Sequence, residues 1–549
     1  MTGQASTTDQ SARPHTWRVD AGLLVIALIV ATALRLHKLD AGLWLDEVLT
    51  YQGANQSLGE AYLHRTQFLY YVLAHFALQV RDTEVMLRLP SVLAGLAGVV
   101  ALYGLTRKAW GTAAAFLAAM LLAISPYHID KSQEARFYAF VILANILMVW
   151  SMWNALATGR ARHWIVFVLA ANLGVASQFT VIPYVAALGV AGGCWLLVFA
   201  NGLPWRDRSR RALHLGLACA AASLSVFTSI LARGTFPFLL ARGTQTDTTS
   251  AETLAYVNAY RLSPGEYLEF LHSYVPRYWT PMGYLFLALI ALGAVVLAKR
   301  TPVLAFLMAA QVVLVPIPLF LVNVHHWYHE RYFSCVYPFV PLLLAVASVF
   351  LADRFAQIVL RVASPKLRIS TSFPVVARAS IVLLFLAAYM KISYGLLLYH
   401  YTEGRAHDWR AVVEFLAPRL ADGDTIAVAG PATYATQHLP KDRQVFPESH
   451  AALEYYLERT LPKGKSKTVH IVGAGSSNQI EELRSGNHSG RLYLVIESCR
   501  EPERAPHSDL AKLPTRDLFQ TNGLDVFQVD LSSVHGRECA HVPSPAPAQ

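Results

Sequence analysis

Three short clusters of acids, bases and aromatics stand where apolar runs end. The first is Trp44-Leu45-Asp46-Glu47, just after the first run. Adjacent carboxylates beside an indole either make a solvated loop or supply a general base; ionisable groups at a membrane edge are by default functional candidates. The second cluster is Ser125-Pro126-Tyr127-His128 followed by Ser132-Gln133-Glu134-Ala135-Arg136-Phe137-Tyr138. Here Ser132 is a natural helix N-cap, and Glu134 in a first turn suits the helix dipole. Neither explains Arg136, a cation at the wrong helix end unless an anion or carboxylate pairs with it. The third cluster is His325-His326-Trp327-Tyr328-His329-Glu330-Arg331-Tyr332. Arg331 heads an apolar run there, and a guanidinium with a helix N-terminus makes an anion site. His325 and His329 are four apart and share a face on a helix. They are weak metal candidates, because no second ligand set of familiar spacing accompanies them.

The chemistry these types allow together is displacement at a sugar carbon bearing a lipid phosphate. A carboxylate deprotonates an acceptor hydroxyl, and guanidinium charge stabilises the departing phosphate. No nucleotide-binding motif is needed for that chemistry.

The elements that must position these groups span a membrane. Of 549 residues 54% are hydrophobic and 15% charged, with a mean hydropathy of +0.36. Soluble chains carry about a quarter charged residues, so a water-soluble protein is excluded. The apolar runs lie near Ala21–Leu36, Leu89–Leu105, Thr112–Ile124, Phe137–Ala155, Trp164–Ala176, Val181–Ala200, Ala212–Leu231, Met282–Leu297, Val303–Val322, Val336–Leu351 and Ile381–Leu398. A span takes roughly 20 residues, so these predict about eleven spans, several of them short. The Trp164–Ala200 stretch reads either as two short helices broken at Ser177-Gln178 or as a helix with a re-entrant piece. The first run lacks a small-x-small cleavage site, so it reads as a retained helix.

The net charge of +10 reflects topology rather than nucleic-acid binding. Arg107 and Lys108, Arg160 and Arg162, Arg206 to Arg211, Lys299 and Arg300, and Arg354 to Arg368 fall in alternate loops. With eleven spans all lie on one side, the cytoplasm by the positive-inside rule. The three clusters and everything after Tyr399 then lie outside. Arg65, Arg233, Arg242, Arg261 and Arg277 in the outer loops hint at anionic ligands.

From about Tyr401 the pattern changes. Thr425–Ala429, Val469–Val472, Leu492–Ile496 and Val526–Val529 read as strands, with Ala411–Leu420, Ala451–Leu461 and Gln479–Leu483 as helices between them. That alternation predicts a small α/β domain. Gly473-Ala474-Gly475 after a strand reads as a structural turn before it reads as a nucleotide site. The expected organisation is a disordered cytoplasmic segment over 1–20, a transmembrane catalytic domain over 21–400, a non-cytoplasmic α/β domain over 401–540 and a disordered tail over 541–549. Cys194, Cys219 and Cys335 are expected as small buried hydrophobes, while Cys499 and Cys539 could pair if the tail lies outside.

In order along the chain, these segments resemble the GT-C superfamily of polyprenyl-phosphate-sugar glycosyltransferases. The likeness is greatest to the bacterial branch related to protein O-mannosyltransferases and lipid A aminoarabinose transferases. Trp44-Leu45-Asp46-Glu47 looks like its Asp-Glu motif, Phe68-Leu69-Tyr70-Tyr71 like its Pro-Pro-Leu-Tyr-Tyr segment, and Glu84 to Ser91 like its Arg-Leu-Pro-Ser entry to the second span. The Ser125–Tyr138 segment is the most specific match. Arg331-Tyr332 with Pro338 resembles the late Arg-Tyr motif, and His407-Asp408-Trp409-Arg410 the opening of periplasmic domains of this branch. Gln67-Phe68 departs from the family where the paired prolines stand.

The resemblance implies a polytopic α-helical membrane enzyme of GT-C type, inverting the anomeric centre in one displacement. It implies Asp46 as catalytic base with Glu47 in support. It implies Arg331 on the lipid phosphate, with Arg136 a second candidate, and Glu134, Tyr138, Tyr70 and Tyr332 as further substrate-binding residues. No cofactor is required on this reading, a divalent metal being the less favoured option. The implied partners are the lipid-linked donor, a lipid, glycan or protein acceptor, and the inner membrane of a bacterium. A transporter or flippase of lipid-linked glycans is the rival from another class, and an inactive homologue with a scaffold role is a third. A transporter would show inverted repeats and mid-span polar residues; the sequence offers only Asn145, Asn172 and Gln311.

Overall fold

The structure is a computed structural model. It describes residues 13–59, 68–200, 202–232, 262–275, 280–321, 330–363, 373–402, 408–429, 447–462, 469–473, 491–497, 515–521 and 524–529. In chain order its helices are α1 (Arg13–Leu36), α2 (Leu45–Ala54), α3 (Phe68–Val80), α4 (Glu84–Ala109), α5 (Thr112–Ala123), α6 (Pro126–Gln133), α7 (Tyr138–Thr158), α8 (Ala161–Ser177), α9 (Ile182–Cys194), α10 (Trp205–Ala232), α11 (Pro264–Ser273), α12 (Pro281–Arg300), α13 (Pro302–Leu314), α14 (Pro316–Leu321), α15 (Phe339–Ala363) and α16 (Phe373–Thr402). The chain divides into two compact units. One comprises Met1–Leu39 and Gly53–Leu398; the other comprises Asp40–Gln52 and Tyr399–Gln549.

The first unit is a helical membrane body. Among the described residues, each of the eleven apolar runs lies on helix or helical turn over nearly all of its length. Among the described residues, eight helices are long and apolar enough to cross a bilayer, or nine if the bent pair α5–α6 is one span. The remaining runs are α8, a shorter apolar helix, and α10, whose first turns carry Arg206, Arg208, Arg210 and Arg211. The stretch near residue 178 is two helices: Gln178 is extended at φ −160° and ψ 132°, and it ends α8 before a 3-10 turn leads into α9. Span α7 lies mostly inside the body, whereas α1 and α16 expose most of their surface. That exposed surface is aliphatic, Val25, Ile26, Ile29, Leu383 and Leu384 among it, as a hydrocarbon solvent demands.

Small residues set the close approaches. A Cβ at Gly293 would collide with the backbone of Leu343, so only glycine lets α12 lie this near α15; one at Gly95 would collide with Ser132, which brings α6 onto α4. Gly159, in the left-handed region at φ 67°, ends α7. Cys335 is buried as expected, but Cys219 is half-buried and Cys194 exposed. On a span surrounded by lipid a thiol needs no protein cover. Cys499 and Cys539 lie outside the described residues.

The second unit contains a five-stranded mixed sheet. Its strands are β1 (Thr425–Ala429), β2 (His470–Gly473), β3 (Leu492–Glu497), β4 (Thr515–Thr521) and β5 (Leu524–Val529), in spatial order β2-β1-β3-β5-β4. β1 runs parallel to β2 and β3, while β5 is antiparallel to β3 and β4. Two further helices, α17 (Trp409–Leu416) and α18 (Pro447–Thr460), belong to this unit. Asp408 caps α17 by accepting the Ala411 N–H at 3.1 Å, and Trp409 behind it is fully buried. Asp424, 1% exposed, accepts the backbone N–H groups of Ala421 and Arg491 at 2.8 and 2.7 Å. Four strands match the alternating pattern read from sequence, and β4 is additional. Gly473 ends β2; Ala474, Gly475 and the expected helix Gln479–Leu483 lie outside the described residues.

Candidate active site

The Ser125–Tyr138 segment is organised differently from the sequence reading. Ser125, not Ser132, is the N-cap: it accepts the His128 N–H at 3.2 Å and is followed by Pro126 at the first helical position. This starts the short helix α6, bent 58° from α5. Ser132 lies in the last turn of α6 and donates to the His128 carbonyl. Glu134 is the C-cap of α6, not a first-turn residue of the next span, and Arg136 stands in the connection before Tyr138 opens α7. The dipole argument therefore does not apply to either residue.

Glu134 is instead held by a lysine that the motif reading passed over. Lys131 Nζ lies 2.9 Å from Glu134 Oε2 and 2.9 Å from Asp130 Oδ2. Glu134 is 6% exposed and Lys131 8%. Burial pushes the Glu134 carboxyl above its usual range; the Lys131 ammonium pulls it the other way. The second oxygen, Oε1, is buried without a hydrogen-bond partner. A lysine between two apolar runs is itself a functional signal, and that signal was available in the sequence.

Tyr138 is where the charges converge. Lys131 Nζ is 5.3 Å from its ring centroid and the Arg331 guanidinium 5.9 Å. Arg331 also lies 5.9 Å from the Tyr332 ring. It does not head a long helix: it sits in a 3-10 turn over Glu330–Val336, and α15 begins at Phe339. The positive charge there is that of the side chain, not of a spanning helix's N-terminus.

This turn is fixed from several sides. Ser334 donates to the Arg331 carbonyl at 2.5 Å and lies 2.6 Å from the Tyr127 hydroxyl. Tyr274 donates to the Glu330 carbonyl at 2.6 Å. The rings of Tyr127, Tyr274 and Tyr337 pack with centroids 4.6 to 5.3 Å apart. Deeper down, Asn145 Nδ2 donates to the Cys335 carbonyl at 2.5 Å and to Gln311 Oε1 at 3.1 Å, and Gln311 Nε2 donates back to Asn145 Oδ1 at 2.7 Å. Asn172 donates to the Val168 carbonyl of its own helix. The three mid-span polar residues therefore have structural hydrogen bonds, and two of them brace the turn that carries Arg331.

Tyr70 is 1% exposed. It donates to the Leu87 carbonyl at 2.8 Å, and Ser91 Oγ lies 3.0 Å from its hydroxyl while donating to the Arg136 carbonyl at 2.7 Å. Tyr70 and Ser91 thus tie α3 and α4 to the loop bearing Arg136.

Asp46 and Glu47 belong to the second unit, with different surroundings. Glu47 is 1% exposed, and its Oε2 accepts the Trp44 N–H at 3.2 Å. Trp44 accepts in turn from the Glu47 and Val48 N–H groups, at 2.9 and 3.1 Å. Glu47 therefore caps its own helix, half of a capping box. Asp46, in the same first turn, is half-exposed. Of the pair, Asp46 is the more exposed carboxylate.

Among the described residues no three His, Cys, Asp or Glu side chains gather as a metal site. His325 and His329 lie outside the described residues, as do Gln67, Arg65, Arg233, Arg242, Arg261 and Arg277.

Residues 64–231 match the family model described as dolichyl-phosphate-mannose-protein mannosyltransferase. Among solved structures the chain is similar to ArnT from Cupriavidus metallidurans in the apo state, at 15% identity over 95% of this chain and 99% of that one, with a TM-score of 0.54. It is also similar to the same protein bound to undecaprenyl phosphate, at 15% identity, the same coverages and a TM-score of 0.51. A weaker likeness is to the Archaeoglobus fulgidus oligosaccharyltransferase in its apo form, at 13% identity over 87% of this chain and 69% of that one, with a TM-score of 0.47. No curated protein matches. Over residues 64–231 the chain thus resembles that mannosyltransferase family, and over nearly its whole length it shares the fold of ArnT.

Proposed function

We propose that the protein transfers a sugar from a polyprenyl-phosphate donor to a lipid, glycan or protein acceptor on the non-cytoplasmic face of a bacterial inner membrane. The acceptor hydroxyl attacks the anomeric carbon, and Asp46 takes its proton. The bond from that carbon to the phosphate oxygen breaks, the configuration inverts and the polyprenyl phosphate leaves. Arg331 and Arg136 are assigned to the phosphate, where charge-assisted bonds strengthen as the leaving group gains charge. Glu134, Tyr138 and Tyr332 are assigned to substrate. Tyr70 and Glu47 are assigned to positioning. A divalent metal is not part of the proposed mechanism.

The observation that carries this reading is that Lys131, ion-paired to Glu134, and Arg331 both stand over the ring of Tyr138 at the start of a spanning helix. Charge concentrated at a helix mouth suits a ligand whose tail lies in hydrocarbon and whose head is anionic. The flippase reading is weakened because Asn145, Asn172 and Gln311 are engaged in packing. The test is transfer by purified protein from a panel of radiolabelled polyprenyl-phosphate sugars, with a membrane lipid and glycan extract as acceptor source. Label moving to an acceptor supports the reading. Donor bound but never consumed across the panel favours the inactive homologue.

A further inference from the structure

The Asp40–Gln52 segment that carries Asp46 is built into the second unit. The turn before α2 is seated on α17 and α18. The Leu43 N–H donates to the Tyr456 hydroxyl at 2.6 Å, with Leu43 fully buried and Tyr456 3% exposed. Arg410 donates to the Asp40 carbonyl at 2.9 Å, and its guanidinium lies 5.6 Å from the Tyr456 ring centroid. A Cβ at Gly42 would meet Asp408 Oδ1 at 3.0 Å and Arg410 Cβ at 3.5 Å, so the turn lies against the capped start of α17.

The far end of α2 is held as well. Arg459 donates to the Tyr51 hydroxyl at 3.1 Å, and its guanidinium stands 3.8 Å from the Tyr455 ring centroid. The Tyr51 and Tyr455 rings meet edge to face at 4.6 Å. Asp46 thus lies on a 10-residue helix of nearly three turns, held near both ends by the tail.

We infer that the tail domain sets the position of the catalytic carboxylate, with Tyr456 the positioning residue for Asp46. Its hydroxyl fixes the backbone three residues before Asp46. A reacting carboxylate displaced by about 1 Å can lose on the order of a hundredfold in rate, so a grip of this kind is kinetically significant. This explains why a membrane enzyme would carry an α/β domain with no ligand motif of its own among the described residues. The inference rests on Asp46 being the base.

The test compares Tyr456→Phe with the wild type, using the polyprenyl-phosphate sugar that the wild type consumes. The isosteric change removes only the hydroxyl, and a melting curve checks that the chain remains folded. The expected result is kcat lower by about tenfold with the KM for donor unchanged. Amide exchange at Leu43 should also quicken. Undiminished kcat, a raised donor KM alone, or unchanged Leu43 exchange would each overturn the inference. Asp46→Asn is measured alongside. If Asp46→Asn turns over normally, the base assignment fails. If Asp46→Asn is dead and Tyr456→Phe is normal, this inference alone fails. Absence of wild-type transfer removes both.

Discussion

Gln133 donates its side-chain N–H to the backbone carbonyl of Arg35 at 2.9 Å, while the Arg35 guanidinium donates to the Ala123 carbonyl at 3.0 Å, next to the bend before α6. Gln133 thus closes the C-terminal end of Arg35's own helix, and Arg35 closes that of α5, the helix before Gln133's. Gln133 also reaches the Leu34 and His37 carbonyls, and buried Arg88 takes the Leu39 carbonyl at 2.8 Å. The last turn of α1 and its exit are therefore fixed just before the chain reaches Asp40. Orphan carbonyls at a buried helix end must be satisfied, and here side chains of the motif segments do it. Gln133→Leu should leave the carbonyls of Leu34, Arg35 and His37 without that donor and cost about 1–3 kcal/mol. A melting temperature in detergent equal to wild type would contradict this.

The Asn145–Gln311 pair makes a separate prediction about stability. Asn145→Leu or Gln311→Leu alone strands one buried amide, at a cost of about 1–3 kcal/mol. The double change to leucine should cost less than the sum of the singles, because the partners are lost together. Thermal unfolding of the three variants checks it. Strict additivity would mean that the two amides do not act as a pair.

Arg331→Ala should weaken donor binding by about tenfold or more, since a phosphate loses a charge-assisted partner. Arg331→Lys should recover part of the affinity but not the geometry of a planar fork. Titration with a polyprenyl-phosphate sugar measures both. Affinity unchanged in Arg331→Ala would remove Arg331 from the phosphate site.

Much of the architecture was legible because membrane spans write themselves as long apolar runs, and among the described residues all eleven lie on helix or helical turn over nearly all of their length. Their count was less legible, because length and hydropathy do not say whether α5 and α6 are one span bent by 58°. The N-cap misreading at Ser132 has a local cause. Two serines stood in range, and Ser125 with Pro126 behind it is the better start signal. That shift moved Glu134 and Arg136 out of the spanning helix. Lys131 matches no motif residue, although a lysine between apolar runs is costly wherever it lies. Strand β4 was missed although Asn522-Gly523, a strong hairpin signature, stands between Thr521 and Leu524, which pair across it. The different exposure of Asp46 and Glu47 follows from tertiary packing, which two adjacent acids in a sequence do not declare. The association of Asp40–Gln52 with the tail, some 350 residues on, is a long-range contact with no local signature.

The central claim is that Asp46 is the base in sugar transfer from a polyprenyl phosphate. The most direct measurement is label transfer by Asp46→Asn beside the wild type, with donor binding measured on both. The account predicts that transfer falls by at least about a thousandfold while donor affinity stays within about threefold, because the amide keeps the shape and loses only the proton acceptor. Near-normal transfer by Asp46→Asn would contradict it.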